Sequence, residues 1–180
     1  MPRFVVLLRG VNVGKGNRVP MADFRAMLEE QGHTEVQTLL NSGNAVFSSK
    51  SRSPVRLAAD VASALQARFG VATPVIVKTT AEFAAIVADN PMTPPEAEHP
   101  RFLVAFAMDQ ARLAELDALR PLLQPGERLA VTEHAAYLHC AGGLLESRAG
   151  EALLGKAGRG ITTRNWGTTL KLASLLGVSA

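Results

Sequence analysis

Apolar positions along this chain switch between continuous runs, helical spacing and strict alternation, and each switch marks an element. Phe4 to Leu8 is short, unbroken and rich in β-formers, which predicts a buried strand. Met21, Phe24 and Leu28 then recur at helical spacing behind Pro20, and Gly32 ends that helix. Val36 to Leu40 and Ala45 to Ser48 read as two strands of a hairpin. Their link, Asn41-Ser42-Gly43-Asn44, is made of residues that tolerate positive φ and bond back to the backbone. Ser53 and Pro54 cap a helix with Leu57, Val61, Leu65 and Phe69 on one face. Gly70 closes it, and Pro74 to Lys78 predicts another strand. The order β-α-β-β-α-β is the ferredoxin-like plan.

Phe83, Ile86 and Val87 predict a helix from about Thr80 to Asp89, after which the pattern breaks. Residues 90–100 hold four of the chain's ten prolines, and such a stretch is stiff and extended. It separates an expected ferredoxin-like subdomain over residues 1–90 from a second α/β subdomain over 101–180, with 91–100 as connector. The plan then partly repeats, as strand Phe102 to Ala107, a helix with Leu113, Leu116 and Leu119, and strands near Arg128 to Thr132 and Ala136 to Cys140. A last helix, capped by Thr162 or Thr163, carries Trp166, Leu170 and Ala173 on one side and is expected to pack back on the fold. The fold class is therefore α+β, two small α/β subdomains. No residue-level repeat accompanies the repeated plan, so a duplication is a topological expectation.

Composition narrows the class. With 180 residues, 47% hydrophobic, the chain can bury a core, and no apolar run approaches the roughly 18 residues of a membrane span. The amino terminus lacks a signal-peptide pattern, which points to a cytoplasmic protein with no membrane partner. The single cysteine, Cys140, cannot form an internal disulfide and reads as a buried, inert thiol. His33, His99, His134 and His139 are dispersed, so neither a metal site nor a cofactor motif is expected. The nine aromatic residues sit mostly on core stripes, unlike the base-stacking sheet of an RNA-recognition motif.

Net charge is only +3, yet residues 1–22 contain four basic and no acidic side chains, and residues 152–180 repeat that balance. Two of three polar islands lie in these stretches. In the first, Arg9, Gly10, Asn12, Gly14, Lys15 and Arg18 form a strand-to-helix loop able to offer N–H groups and cations to an anion. It is not a Walker A loop: Gly10 and Gly14 are separated by three residues, and Gly16 follows Lys15. A tight connection whose glycines merely permit the turn explains the same residues. The second island, Ser42, Gly43 and Asn44, is either turn chemistry or a pair of donors at a strand end. Ser42 lacks the nucleophile-elbow context of a hydrolase. In the third, Thr163, Arg164 and Asn165 flank a helix start. There Trp166 reads as a core anchor, while Arg164, with Thr168 and Lys171, reads as an exposed cationic stripe.

Four strings, Leu8-Arg-Gly-Val-Asn-Val-Gly14, Asn17-Arg-Val-Pro-Met21, Ser42-Gly-Asn-Ala-Val-Phe47 and Thr162-Thr-Arg-Asn-Trp166, resemble the bacterial family known as domain of unknown function 1697. The resemblance implies a two-part α/β architecture with ferredoxin-like halves and no particular activity. The family pattern Asn-Val-Gly-Gly-Lys-Asn is here Asn12-Val-Gly-Lys-Gly-Asn17, which moves the cation by one residue. Two functions follow as expectations. One is a module that binds an anionic partner, nucleic acid or a phosphorylated metabolite such as a nucleotide, through the three islands. The other is an enzyme in which the same groups orient a phosphate- or carboxylate-bearing substrate. The absence of an evident nucleophile or paired acid and base favours binding.

Overall fold

The computed structural model describes residues 1–180 as two compact units, Met1–Phe83 with Ser174–Ser179, and Ala84–Ala173 with Ala180. The first unit runs β1 (Arg3–Leu8), α1 (Met21–Glu30), β2 (Thr34–Thr38), β3 (Asn44–Ser48), α2 (Pro54–Phe69) and β4 (Val75–Thr79). Its strands lie in the order β2-β3-β1-β4, every neighbouring pair antiparallel. Side chains alternate across the sheet, so the register places Phe4, Val6, Phe47 and Val77 on one face. Phe4 and Phe47 stack with ring centroids 5.9 Å apart, and His33 lies 4.5 Å from the Phe47 ring. Val5, Leu7, Asn44, Val46, Ile76 and Lys78 share the other face and are also buried.

Local signals act where the sequence places them. Ser53 caps α2, its Oγ accepting from Arg56 N at 3.2 Å, and Gly70 closes the helix with φ 65°. Strand β2 runs over Thr34–Thr38, two residues earlier at each end than expected, and a bulge between Thr34 and Gln37 adds a residue to the ladder. Glu35, at φ 52°, absorbs it.

In the second unit the sheet is β5 (Phe102–Phe106), β6 (Arg128–Val131), β7 (Ala136–His139) and β8 (Thr162–Asn165), ordered β6-β7-β5-β8 and antiparallel throughout. Taken in chain order, this is the strand arrangement of the first unit. The repetition expected from topology therefore extends to all four strands. Helix α3 (Thr80–Ala88) follows β4, and residues 96–101 then form a 3-10 helix that runs into β5. Leu113 lies on α4 (Gln110–Ala114), whereas Leu116 and Leu119 lie on a following 3-10 segment. All three join Leu103, Leu129, Leu138 and Leu153 in one core cluster. Leu153 comes from α5 (Arg148–Leu154), which sequence patterning does not reveal.

The third island departs most from expectation. Residues 162–165 are an edge strand paired with β5, and α6 (Trp166–Leu176) starts only after it. The cap is Asn165, whose Oδ1 accepts from Thr168 N at 2.8 Å. Two successive β-branched threonines favour the extended conformation, and Asn is the stronger capping residue, so the boundary moves two to three residues along. Trp166 is buried as expected, its ring edge-on to Phe102 at 5.8 Å.

Candidate functional site

The loop of residues 9–20 leaves the end of β1 and delivers the chain to α1. Four of its residues, Gly10, Asn12, Gly14 and Asn17, have φ between 51° and 66°, a conformation favourable only to glycine and tolerable to asparagine. Asn12 holds the loop together. Its Nδ2 donates to Val19 O and to Asn41 O, both at 2.8 Å, and its Oδ1 accepts from Val19 N at 2.8 Å. Its own N–H donates to Asn17 O at 3.0 Å. Thr73 Oγ1 donates to Arg9 O and fixes the loop's first residue. Val11 and Val19 are buried as the loop's feet, while Lys15 and Arg18 stand exposed between them.

The hydrogen bond to Asn41 O brings the first island against the second. Leu8 N donates to Gly43 O at 2.9 Å, so the turn after β2 closes on the end of β1. Gly43 has φ 87°, and a Cβ there would lie 2.7 Å from Leu8 Cβ and 2.8 Å from Val11 Cγ2. The position therefore requires glycine on two counts. Asn44 is fully buried, and its Nδ2 donates to Leu39 O and Ser42 Oγ, each at 2.8 Å. Turn chemistry thus accounts for these side-chain bonds.

Arg164 is not the exposed cation expected from helical spacing. It is 7% exposed, on a strand, in register with Val104 and Tyr137. Its Nη1 donates to Thr162 Oγ1 and to Thr163 O, both at 2.7 Å. Desolvation pulls the guanidinium's pKa down to about 10. The strand register explains the difference: alternation points residue 164 to the face of Val104, where a helix would have turned it outward. Thr163 and Asn165 are half-buried, and Lys171 is exposed. Cys140 is buried, and burial pushes its thiol pKa up, as an inert thiol requires.

Sequence reasoning misses two other cationic features. Lys78, on β4, is buried, and desolvation holds its ammonium below the ordinary lysine value against the pull of Glu82. In the second unit, Arg112, Lys156 and Arg159 line one cleft with Gly160. The excess of basic residues near the carboxyl terminus is visible in sequence, but no local motif joins Arg112 to it.

The architecture defines an α/β protein of two four-stranded antiparallel sheets with the same strand order. The chain belongs to the family described as "Protein of unknown function (DUF1697)", whose model matches residues 1–137. The match includes the first two islands and stops before Thr162. A conserved bacterial protein from Streptococcus pneumoniae has a similar solved structure, with a TM-score of 0.79 and 23% identity over 97% of this chain and 98% of that one. That likeness extends the shared fold over both units. No curated protein matches the chain. No helix is long and apolar enough to cross a membrane.

Proposed function

We propose that the protein is a binding module for an anionic partner, with nucleic acid as the leading ligand, and that the loop of residues 9–18 with the turn of residues 41–44 forms its contact surface. The observation that carries this reading is a comparison within the chain. The second unit joins β5 to α4 through residues 107–109, with Asp109 Oδ1 accepting from Ala111 N at 2.9 Å as a compact cap. The first unit uses residues 9–20 for the corresponding step. The strand order thus closes without a long connection, and the additional residues carry Lys15 and Arg18 exposed, with no acidic side chain before Asp23. A loop fixed by Asn12 loses little further conformational freedom when a ligand binds. Asn12 and Asn44 act as its scaffold, while Lys15, Arg18 and the backbone near Gly10 and Gly14 face the ligand. Buried Arg164 serves the second sheet and is not assigned to this surface.

Fluorescence anisotropy with a labelled single-stranded oligonucleotide over a salt series tests the proposal. Affinity should fall with a log–log slope of about −0.7 per phosphate neutralised, and Lys15→Ala with Arg18→Ala should flatten it. Saturable binding of a nucleotide without a comparable slope would identify the small-metabolite form. Absence of oligonucleotide binding at low salt, or a double variant that binds like the parent, would refute the nucleic-acid reading.

A further inference from the structure

We propose that the second unit holds a separate site for the phosphate group of a small phosphomonoester, in the cleft lined by Arg112, Lys156, Arg159 and Gly160. The lining charges come from two distant stretches of chain. Arg112 lies on α4, whereas Lys156 opens the 3-10 turn that follows α5 and Arg159 directly follows that turn. The carboxylate of Glu115 pairs with Arg112, and no other carboxylate meets the cleft's lining. Arg112 is thus compensated, but Lys156 and Arg159 share the cleft with no carboxylate in its lining, and an anion placed between them relieves their mutual repulsion.

Arg112 is held in place. One Nη donates to Glu115 at the edge of the cluster and the other to the carbonyl oxygen of Arg159, so the guanidinium is fixed against the segment that carries its two companions. The Arg159 side chain is exposed, and only its carbonyl takes part in that tie. Gly160 forms the remaining wall, at φ 78°, and a Cβ there would lie 3.6 Å from Arg112 Nε. With hydrogen in its place, a ligand oxygen can approach that nitrogen closely. The exposed Arg159 guanidinium together with the Lys156 ammonium suits a tetrahedral dianion with several acceptor oxygens, while Arg112, engaged through both Nη groups, leaves only its Nε toward the cleft. The cleft's small set of cations fits one phosphate group, in contrast to the open loop of the first unit. This site does not depend on the function proposed for that loop.

Amide chemical shifts of the full chain, followed during titration with glycerol 3-phosphate and in parallel with inorganic phosphate, test the site. Saturable shifts over residues 155–161 are expected, with a Kd of about 1 mM or tighter. Lys156→Ala and Arg159→Gln should each weaken binding by about tenfold, since each removes one charge-assisted contact. Arg159→Gln keeps the carbonyl that orients Arg112, and both altered side chains are exposed, so the melting temperature should stay unchanged. Tighter binding of glycerol 3-phosphate than of inorganic phosphate would identify the ester as the ligand class, and the reverse order would overturn that assignment. Shifts that never saturate, that map outside residues 110–115 and 155–161, or that are indifferent to both variants would overturn the site. Lys15→Ala with Arg18→Ala should leave this titration unchanged, so the two sites fail or succeed separately.

Discussion

Replacing Asn12 tests whether the first loop is a fixed structure. Its amide makes three hydrogen bonds of 2.8 Å, two donated by Nδ2 and one accepted by Oδ1. A neutral hydrogen bond contributes about 0.5–1.5 kcal/mol net, and the site is half-exposed, so removing all three should cost about 1.5–3 kcal/mol. Asn12→Gly isolates this term, because glycine accepts φ 57° without strain. Asn12→Ala adds about 1 kcal/mol or more for a Cβ in the left-handed region. Asn12→Asp is the sharpest variant. It keeps the acceptor for Val19 N but sets a carboxylate oxygen against the carbonyls of Val19 and Asn41, so it should be at least as damaging as Asn12→Gly. Urea denaturation gives the free energies, and limited proteolysis of the folded protein should show faster cleavage within residues 10–18. If Asn12→Gly stays within about 0.5 kcal/mol of the parent and the loop resists protease, Asn12 does not hold the loop and the preorganisation argument fails.

Other outcomes follow from packing and titration. Gly43→Ala combines φ 87° with a contact of 2.7 Å and should cost about 3 kcal/mol or more in denaturant titration. Trp166→Ala removes a buried aromatic that packs on Phe102 and should cost about 3–5 kcal/mol by the same measurement. Burial lowers the His33 pKa below 6.5, with Asp60 opposing the shift, so the fold disfavours the imidazolium. Stability from this group is complete above pH 6.5 and falls as pH drops below that value. His33→Gln should flatten that part of a melting-temperature profile.

Much of the first unit is legible because its signals are local. Ser53-Pro54 and Gly70 bracket α2, and the polar turn at 41–44 announces the hairpin. The second unit is harder to read where its elements are short. Strand β8 has four residues, two of them threonines that suit a cap as readily as an edge strand, and only pairing with β5 decides between them. Helix α5 has only seven residues with a glycine among them, and its Ser147 cap is one polar residue among several. The sites divide in the same way. Contiguous glycines and cations expose the first loop, whereas the Arg112 cleft exists only after α4 meets the turn at 156–158.

Arg164→Ala separates the two meanings that a cation near a helix start can have. Had residue 164 opened α6, truncation would scarcely change stability, because an exposed cation there contributes little and opposes the helix dipole. On β8 its guanidinium is buried and donates to Thr162 Oγ1 and Thr163 O at 2.7 Å. Alanine leaves a cavity and removes the donor from both acceptors, so a loss of about 2–4 kcal/mol is expected. Arg164→Lys should recover only part of this, since an ammonium on a flexible stem cannot reproduce the planar fork. Arg164→Met preserves much of the apolar stem without the charge. Because desolvating the charge itself opposes folding, as the pKa lowered to about 10 implies, methionine should cost less than alanine. The order Arg, Met, Ala in melting temperature would show that Arg164 belongs to the fold. An alanine variant as stable as the parent would put residue 164 back on the surface and reopen its case as a ligand contact.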